Sequence, residues 1–564
     1  MENRSNLSGL SRAAICPVKL VLLLFSFLFS LSSTQAHFVV VETSTALVDG
    51  TVYPYNQLKP GDTIFLAAGE RNKILFRNLV GAEGKPICII NRGGAVVIST
   101  NEYYGISVVH SSFFRISGTG DAAVQYGIQI SKVMAGAGIG INDLTTDFEL
   151  DHISIENCLT SGIMAKTEPD CSHQVSRDNF IQFNTRIHDN YIAYTGNEGM
   201  YIGSASYNGK IVNCNGIDSI MYPPVLRGVE VYNNIVTHTG WDAIQVSSAV
   251  SGCAVYNNKV TYDSQAEMNN QMSGILLGGG SKCDCYNNRI TDGKGVGIEN
   301  HGLGGNRIFN NVIINAGLSY RPDDPTAMKH GIFISDVSAQ PDSSVYILFN
   351  TIINPKSDGI RFQSVKTRNN LIASNLIIHP GNYGHYAVSG VSPEKAYIML
   401  SNPQADVAIK NNFLSQGFSQ AGVSNMTYEP FAGSPLINAA YADSRNVNFD
   451  ILGNLRPKGI YSDIGAFEFQ GSPDSPTSDQ APVYKLYPNP AQSVVSFRYT
   501  EFAGKKNIHS IYTSTGVLVS KQDYFALFTG IQELRSNVSF LPKGSYVYKV
   551  ETSDSRITAR FIKL

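Results

Sequence analysis

The stretch that decides the fold is "VEVYNNIVTHTGWDAIQVSS", residues 229–248, because a close variant, "TRIHDNYIAYTGNEGMYIGS", stands at 185–204. Each has an alternating lead-in, an asparagine, a short apolar strand, a Gly turn, and then a second short strand. The pattern recurs outward in both directions: "ISIENCLTSGIMAK" from 153, "CAVYNNKVTY" from 253, "CDCYNNRITDGKGVGIENHG" from 283, "NRIFNNVIINAG" from 306 and "VYILFNTIINPKSDGIRFQS" from 345. The anchors read from these laps are Asn157, Asn190, Asn234, Asn258, Asn288, Asn311 and Asn350.

Units of roughly 22–25 residues made of short strands cannot bury their apolar faces alone and must stack on their neighbours. Winding them into a coil places each strand ~4.8 Å from its counterpart one lap away. The anchors then stack as well, their amides bonding along the coil and to backbone at a tight corner. Ile163, Met200, Ile244, Ile275, Ile298, Ile332 and Ile360 form one inward column. The expectation is an all-β chain: a right-handed parallel β-helix followed by a small C-terminal β-sandwich.

Composition agrees. The chain has 564 residues, 51 glycines and 29 tyrosines, with 16% charged residues and a net charge of −2. β-Branched, Asn- and Gly-rich text favours strands and turns over helices. A near-neutral chain gives no electrostatic case for nucleic acid or an anionic membrane. Arg4, Arg12 and Lys19 around "LVLLLFSFLFSL", then "TQA" before His37, read as an export signal over 1–36. Its apolar run is short of the ~20 residues of a membrane span, so the mature chain is expected to have no transmembrane segment and to be secreted or held at the outer surface. Without Cys16, the cysteines are Cys88, Cys158, Cys171, Cys214, Cys253, Cys283 and Cys285. Their odd count leaves at least one thiol over, and Cys253 and Cys283 take equivalent positions suited to core stacking. A monomer is expected.

Two further stretches carry a resemblance. "LKPGDTIFLAAGE" with "GAEGKPICIINRGG" near the start, and "GSPLINAA" with "DILGNLRPKGIYSDIGAFEF" near 433–469, resemble the opening and closing segments of the pectate-lyase-like β-helix superfamily. With the repeats, the likeness covers about residues 38–469 and implies a polysaccharide as partner. After a Pro/Ser/Asp linker at 470–482, "LYPNPAQSVVSF", "IYTSTGVLVSKQ", "LPKGSYVYKVETSD" and the final "FIKL" resemble the type A C-terminal sorting domain of the type IX secretion system of Bacteroidetes. The organisation expected is a signal at 1–36, a β-helix at 37–469, the linker, and a sorting domain at 483–564 that addresses the chain to that secretion machinery.

Parity along the second strand puts Met164, Tyr201, Gln245, Leu276, Glu299, Phe333 and Arg361 on the outer wall, a trough for a sugar chain. Glu198 and Asp242 hold equivalent places in successive laps, so stacking brings two carboxyls within about 5 Å, near the ~5–5.5 Å of retaining glycosidase pairs. Like charges so close push one pKa up and yield an acid beside a base or nucleophile. The same two could hold Ca²⁺, as acids do in lyases of the superfamily. Equally, both could be corner residues that satisfy turn amides, as Asp358 in the same slot suggests. Insertions at 167–180, 204–227 and 261–273 would wall this region. Lys166 is the candidate base of a β-elimination, with Arg361 also considered. Tyr201, Trp241, Gln245, Glu299, His301 and Arg361 are expected to touch the sugar, Glu299 and His301 also being able to bind a metal or shuttle a proton. The functional expectation is cleavage or modification of an extracellular polysaccharide, by hydrolysis or by elimination. The alternative is a non-catalytic glycan-binding or adhesion solenoid.

Overall fold

A computed structural model describes residues 37–324, 326–381, 397–442, 445, 447–471, 485–501, 506–525, 530–552 and 556–564. The expected export signal at 1–36 and most of the linker at 470–482 lie outside the described residues.

One lap shows how the coil is made. Val225–Tyr232 runs parallel to Ile181–His188 behind it and Ala249–Tyr256 ahead. Ile235–Thr239 pairs likewise with Tyr191–Thr195 and Lys259–Thr261. The short strand Ile244–Val246 lies between Met200–Ile202 and Ser273–Leu277. Repetition of this lap joins the first two faces into a 23-stranded sheet and makes the third a 12-stranded sheet. The cross-section therefore has three walls around one core.

The corner between the first two walls depends on two consecutive residues. The first adopts a left-handed backbone, as Asn233, Asn257, Asn287 and Asn310 do at φ 54–56°, a conformation asparagine tolerates better than most residues. The second is the anchor, and its side chain is fully engaged. Asn234 Nδ2 donates to Asn258 Oδ1 at 3.0 Å, Asn258 to Asn288 at 3.0 Å, Asn288 to Asn311 at 3.0 Å, and Asn311 to Asn350 at 3.0 Å. Each Oδ1 also accepts the backbone N–H of the preceding anchor, as Asn258 does from Asn234 at 3.1 Å.

The ladder departs from the sequence reading at both ends. Asn157 is not a member, because Cys158 registers with Thr195 and the slot below Asn190 is Ile153, whose amide donates to Asn190 Oδ1 at 3.0 Å. Beyond Asn350 the ladder continues through Asn375 to Asn412, at 2.9 and 2.8 Å.

The inward column forms as expected: Ile163, Met200, Ile244, Ile275, Ile298, Ile332 and Ile360 are mutual register partners and wholly buried. Each such side chain contributes about 1.5–3 kcal/mol by leaving water. In the later laps the second wall is apolar on its outer side too. Val312, Ile314, Ile353, Leu376 and Ile378 point away from the main core yet are buried against Ala421, Leu436, Val447, Ile464 and Phe467 of the closing segment. That segment is fastened by Gly465 N–H to Ser374 O at 2.9 Å and by Asn310 Nδ2 to the Phe449 carbonyl at 2.6 Å.

Residues 485–564 form two antiparallel sheets, one of three strands and one of four, around Val495, Phe497, Tyr499, Tyr548 and Phe561. Cys171 bonds to Cys214, and Cys253 to Cys283; Cys88, Cys158 and Cys285 stay free. Equivalent positions on adjacent laps thus bring Cys253 and Cys283 into a covalent bond, where sequence suggested simple stacking.

Asn258→Ala removes the donor to Val231 O and Asn288 Oδ1 and the acceptor of Asn234 N–H. Unfolding by denaturant should show a loss of about 2–4 kcal/mol, since buried amide partners are left unmatched. Asn412→Ala, at the far end of the ladder, should cost clearly less.

Candidate functional site

The third wall carries two polar columns. At the corner that opens its strands, backbone bonds link Gly162 N to Glu198 O, Gly199 N to Asp242 O, Ala243 N to Ser273 O, Gly297 N to His330 O and Gly331 N to Asp358 O. The residues before each small Gly or Ala therefore stack: Ser161, Glu198, Asp242, Ser273, Val296, His330, Asp358. The outer column follows in register as Met164, Tyr201, Gln245, Leu276, Glu299, Phe333 and Arg361. Parity along the strand had assigned this face correctly.

Glu198 and Asp242 are on adjacent laps, but they are not a surface pair. They are 1% and 0% exposed. Glu198 Oε2 accepts the Ser161 hydroxyl at 2.8 Å, and its other oxygen and both Asp242 oxygens have no hydrogen-bond partner. Burial pushes the Glu198 carboxyl up and the Asp242 carboxyl well up, the nearby Glu299 and Glu198 adding to the latter. Both are thereby biased to the neutral acid, closed to a sugar, and too few in oxygens for Ca²⁺, which takes six to eight. The catalytic and calcium roles suggested by their spacing do not fit this burial.

Lys166 is also displaced from its expected role. Its Nζ lies 3.0 Å from Glu168 Oε1 and 3.9 Å from the centre of the Tyr201 ring. Burial works to lower its pKa, yet Tyr201 and Glu168 outweigh it and raise it, so the ammonium is held and is no base. The Tyr201 face is occupied by that same ammonium. Gln245 is 1% exposed, its Nε2 bonded to Ser247 Oγ at 3.2 Å. Trp241 is half-buried at the corner, with its backbone N–H on Asn197 O at 3.1 Å. The insertions beside them are tied together by Cys171–Cys214 and by Arg177, which stacks on Tyr207 and Tyr222 at 4.3 and 5.2 Å.

The open part of the wall lies further along. A cleft of about 280 Å³ is lined by Glu299, Phe333 and Arg361 of the outer column, by Lys329 and His330 at the corner, and by Met272 from the 261–273 insertion. Glu299 has both oxygens engaged: His301 Nε2 sits 2.8 Å from Oε1, and Ser273 Oγ donates to Oε2 at 2.7 Å. Burial opposes its charge, but these bonds hold its pKa below the usual range, so it is an anion. Lys329 is pulled the other way: burial lowers it, against the raising influence of Glu299, Asp263 and Asp242. His330 Nδ1 lies 2.9 Å from Asp358 Oδ2, and burial keeps its ring neutral despite that partner. Arg361 Nη1 donates to the same Asp358 oxygen at 3.3 Å, and its Nε to Ser401 Oγ at 2.9 Å.

Of the residues singled out from sequence, Glu299, His301 and Arg361 come together here, while Glu198, Asp242, Lys166, Tyr201 and Gln245 belong to the covered half. Lys329 and His330 were missed. His330 was legible as the occupant of the Glu198 slot in the lap "MKHGIF"; nothing in the sequence marks Lys329 as desolvated. Among the described residues, one acid–histidine cluster has metal-ligand spacing, Glu149, Asp151 and His188, away from the cleft. Arg115 Nε already fills it, 3.0 Å from Glu149 and 2.7 Å from Asp151.

Residues 226–416 match the family model of the right handed beta helix region, and residues 485–564 that of the secretion system C-terminal sorting domain. The chain is therefore a right-handed β-helix protein addressed by its tail for type IX export to the cell surface or the space beyond, and no described helix is long and apolar enough to cross a membrane. Among solved structures, an alginate lyase from Paenibacillus sp. str. FPU-7 is similar at 15% identity over 58% of this chain and 98% of that one, with a TM-score of 0.38. Pectate lyase Pel9A is similar at 14% identity over 76% and 97%, TM-score 0.36. A GH136 lacto-N-biosidase from Eubacterium ramulus is similar at 12% identity over 64% and 62%, TM-score 0.41. No curated protein matches the chain in sequence.

Asp242→Asn tests the buried acid. An unfolded aspartate loses its proton near pH ~3.9, whereas the folded chain holds it higher, so stability falls as pH rises between the two values. The variant should melt higher than the parent near neutral pH, and the two should converge in acid, as read by thermal denaturation across pH.

Proposed function

We propose that this exported β-helix protein cleaves an acidic polysaccharide, and that the Glu299–Lys329–His330–Arg361 cleft is where it does so. The observation that carries the reading is the pairing, in one cleft, of a lysine whose proton is loosened by burial with an arginine that can receive a carboxylate. A uronate sugar carries that carboxylate, and the proton beside it is the one an eliminating enzyme must remove. Arg361 would take the carboxylate through a planar guanidinium already oriented by Asp358 and Ser401. Lys329, whose pKa burial lowers and which therefore gives up its proton more readily than a free lysine, would accept the proton in its neutral form. Glu299 stabilises the lysine once it becomes an ammonium. The electron pair left behind would form the new C=C bond as the glycosidic C–O bond breaks. His330 Nε2–H would protonate the departing oxygen, its Nδ1 accepting the Asp358 backbone N–H at 3.3 Å, and Phe333 offers an apolar surface to a ring.

Incubation with a panel of uronate polysaccharides should generate the ultraviolet absorbance of an unsaturated product. New reducing ends without that absorbance would identify a hydrolase instead, and binding with neither product would favour the glycan-binding alternative. Lys329→Ala should lower kcat/KM by about 10²–10⁴, the usual contribution of a positioned base. Activity should rise with pH through the depressed Lys329 pKa and level off below the ~10.4 of a free lysine. Arg361→Ala should act mainly on KM. Unchanged turnover in Lys329→Ala would remove the proposed base.

A further inference from the structure

We infer that the cleft is a pocket for the end of a glycan chain, so that the protein acts from chain termini and does not cut internally. The inference rests on reading the cleft as a sugar site. A chain-interior site on this scaffold would need the outer column open over many laps, since the column runs along the coil. At the cleft it is open over three consecutive laps, and the half-buried Tyr201 and Met164 lie beyond two closed ones. Glu299, Phe333 and Arg361 are partly exposed, but Leu276 on the lap before them is 6% exposed, Gln245 before that 1%, and Met399 on the lap after Arg361 9%.

Two residues past Gln245 and Leu276 the surface closes as well. Ser247 is fully buried and Gly278 is covered. Just past it, Tyr207 of the 204–227 insertion lies so close to Gly280 that a Cβ there would meet its ring, and the Ala205 carbonyl and Ser338 Oγ flank Gly279. The Tyr207 and Ala205 contacts come from the 204–227 insertion and the Ser338 contact from the connection after Ile332–Ile334, and they converge on the laps that separate Tyr201 from Glu299. Tyr201 itself could not extend the surface, its ring face being taken by Lys166.

The dimensions fit a terminus. Glu299 to Arg361 is two laps, about 10 Å at the spacing of paired strands. The cavity, about 280 Å³, sits at the lower edge of the ~300–1,000 Å³ of small-ligand pockets. One or two sugar rings fill it. Chemistry at Lys329, opposite the middle of this stretch, would release short products of uniform length.

The experiment has two arms. In the first, the full chain is incubated with a long uronate polymer, and product length and solution viscosity are followed from the earliest times. Short uniform products with a slow fall in viscosity are expected; a broad spread of lengths with a rapid fall would overturn the pocket while leaving the sugar reading in place. In the second, which does not need turnover, acidic oligosaccharides of defined length are compared with the same oligosaccharides capped at both ends. Capped forms should bind at least about tenfold more weakly, because the closed laps clash with any added group. Equal affinity for both forms would overturn the inference, and binding of neither would overturn it together with the sugar reading.

Discussion

When a chain turns sharply between two short strands, the amides at the bend have no sheet partner, and from Asn190 to Asn412 of this coil one asparagine per lap supplies it. Its carboxamide accepts the preceding lap's backbone N–H and donates both to a main-chain carbonyl and to the asparagine of the next lap. The bonds run along the coil axis, perpendicular to the strands. They therefore fix the register of successive laps against each other, which the short strands alone would hold weakly. Register matters acutely here, because slipping by one residue would turn every inward isoleucine outward. With the register fixed, the corner and outer columns of the third wall become stacks whose members are set by chain position alone.

Equal position does not give equal chemistry. The slot before the small Gly or Ala holds Ser161, Glu198, Asp242, Ser273, His330 and Asp358, all in one geometry. What differs is the covering. Glu198 and Asp242 are sealed, so charge is costly and the proton is retained. Three laps on, the corner opens beside Lys329, where partial desolvation loosens a proton from an ammonium. Ser273 stands between the two regimes and gives its single hydroxyl proton to Glu299, helping keep that carboxylate ionised.

The repeating frame was therefore legible, and the covering was not. Alternation along "GMYIGS" and "DAIQVSS" placed Tyr201 and Gln245 outward and Met200 and Ile244 inward, as observed. Asparagine followed by a short apolar run located most of the ladder. It failed at Asn157 because that lap carries His152 and Ile153 at the corner, so the only asparagine nearby lies past it. Burial of Gln245 and Glu198 depends on what packs over them, which alternation along a strand does not report. The 315–331 connection lengthens its lap, which moved Lys329 out of the spacing by which equivalent residues were recognised. One signal was available and unused: after the anchors, "NIVTHT", "NKVTYD" and "NRITDG" give way to "NVIIN", "NTIIN" and "NLIIH". Threonine yields to isoleucine where the outer side of the wall is no longer wet.

That change of composition has a consequence for how the molecule is made. Val312, Ile314, Ile353, Leu376 and Ile378 find their cover in residues more than forty positions later, and Asn310 meets Phe449 across 139 residues. Laps can wind as they emerge, each on the one before, but this greasy flank stays bare until the closing segment has been synthesised and swung back. The nascent molecule thus passes through an interval in which a finished spiral displays a strip of isoleucine to its surroundings. Whatever accompanies it to the export machinery must tolerate or shield that strip, because it disappears only when the final piece is laid down.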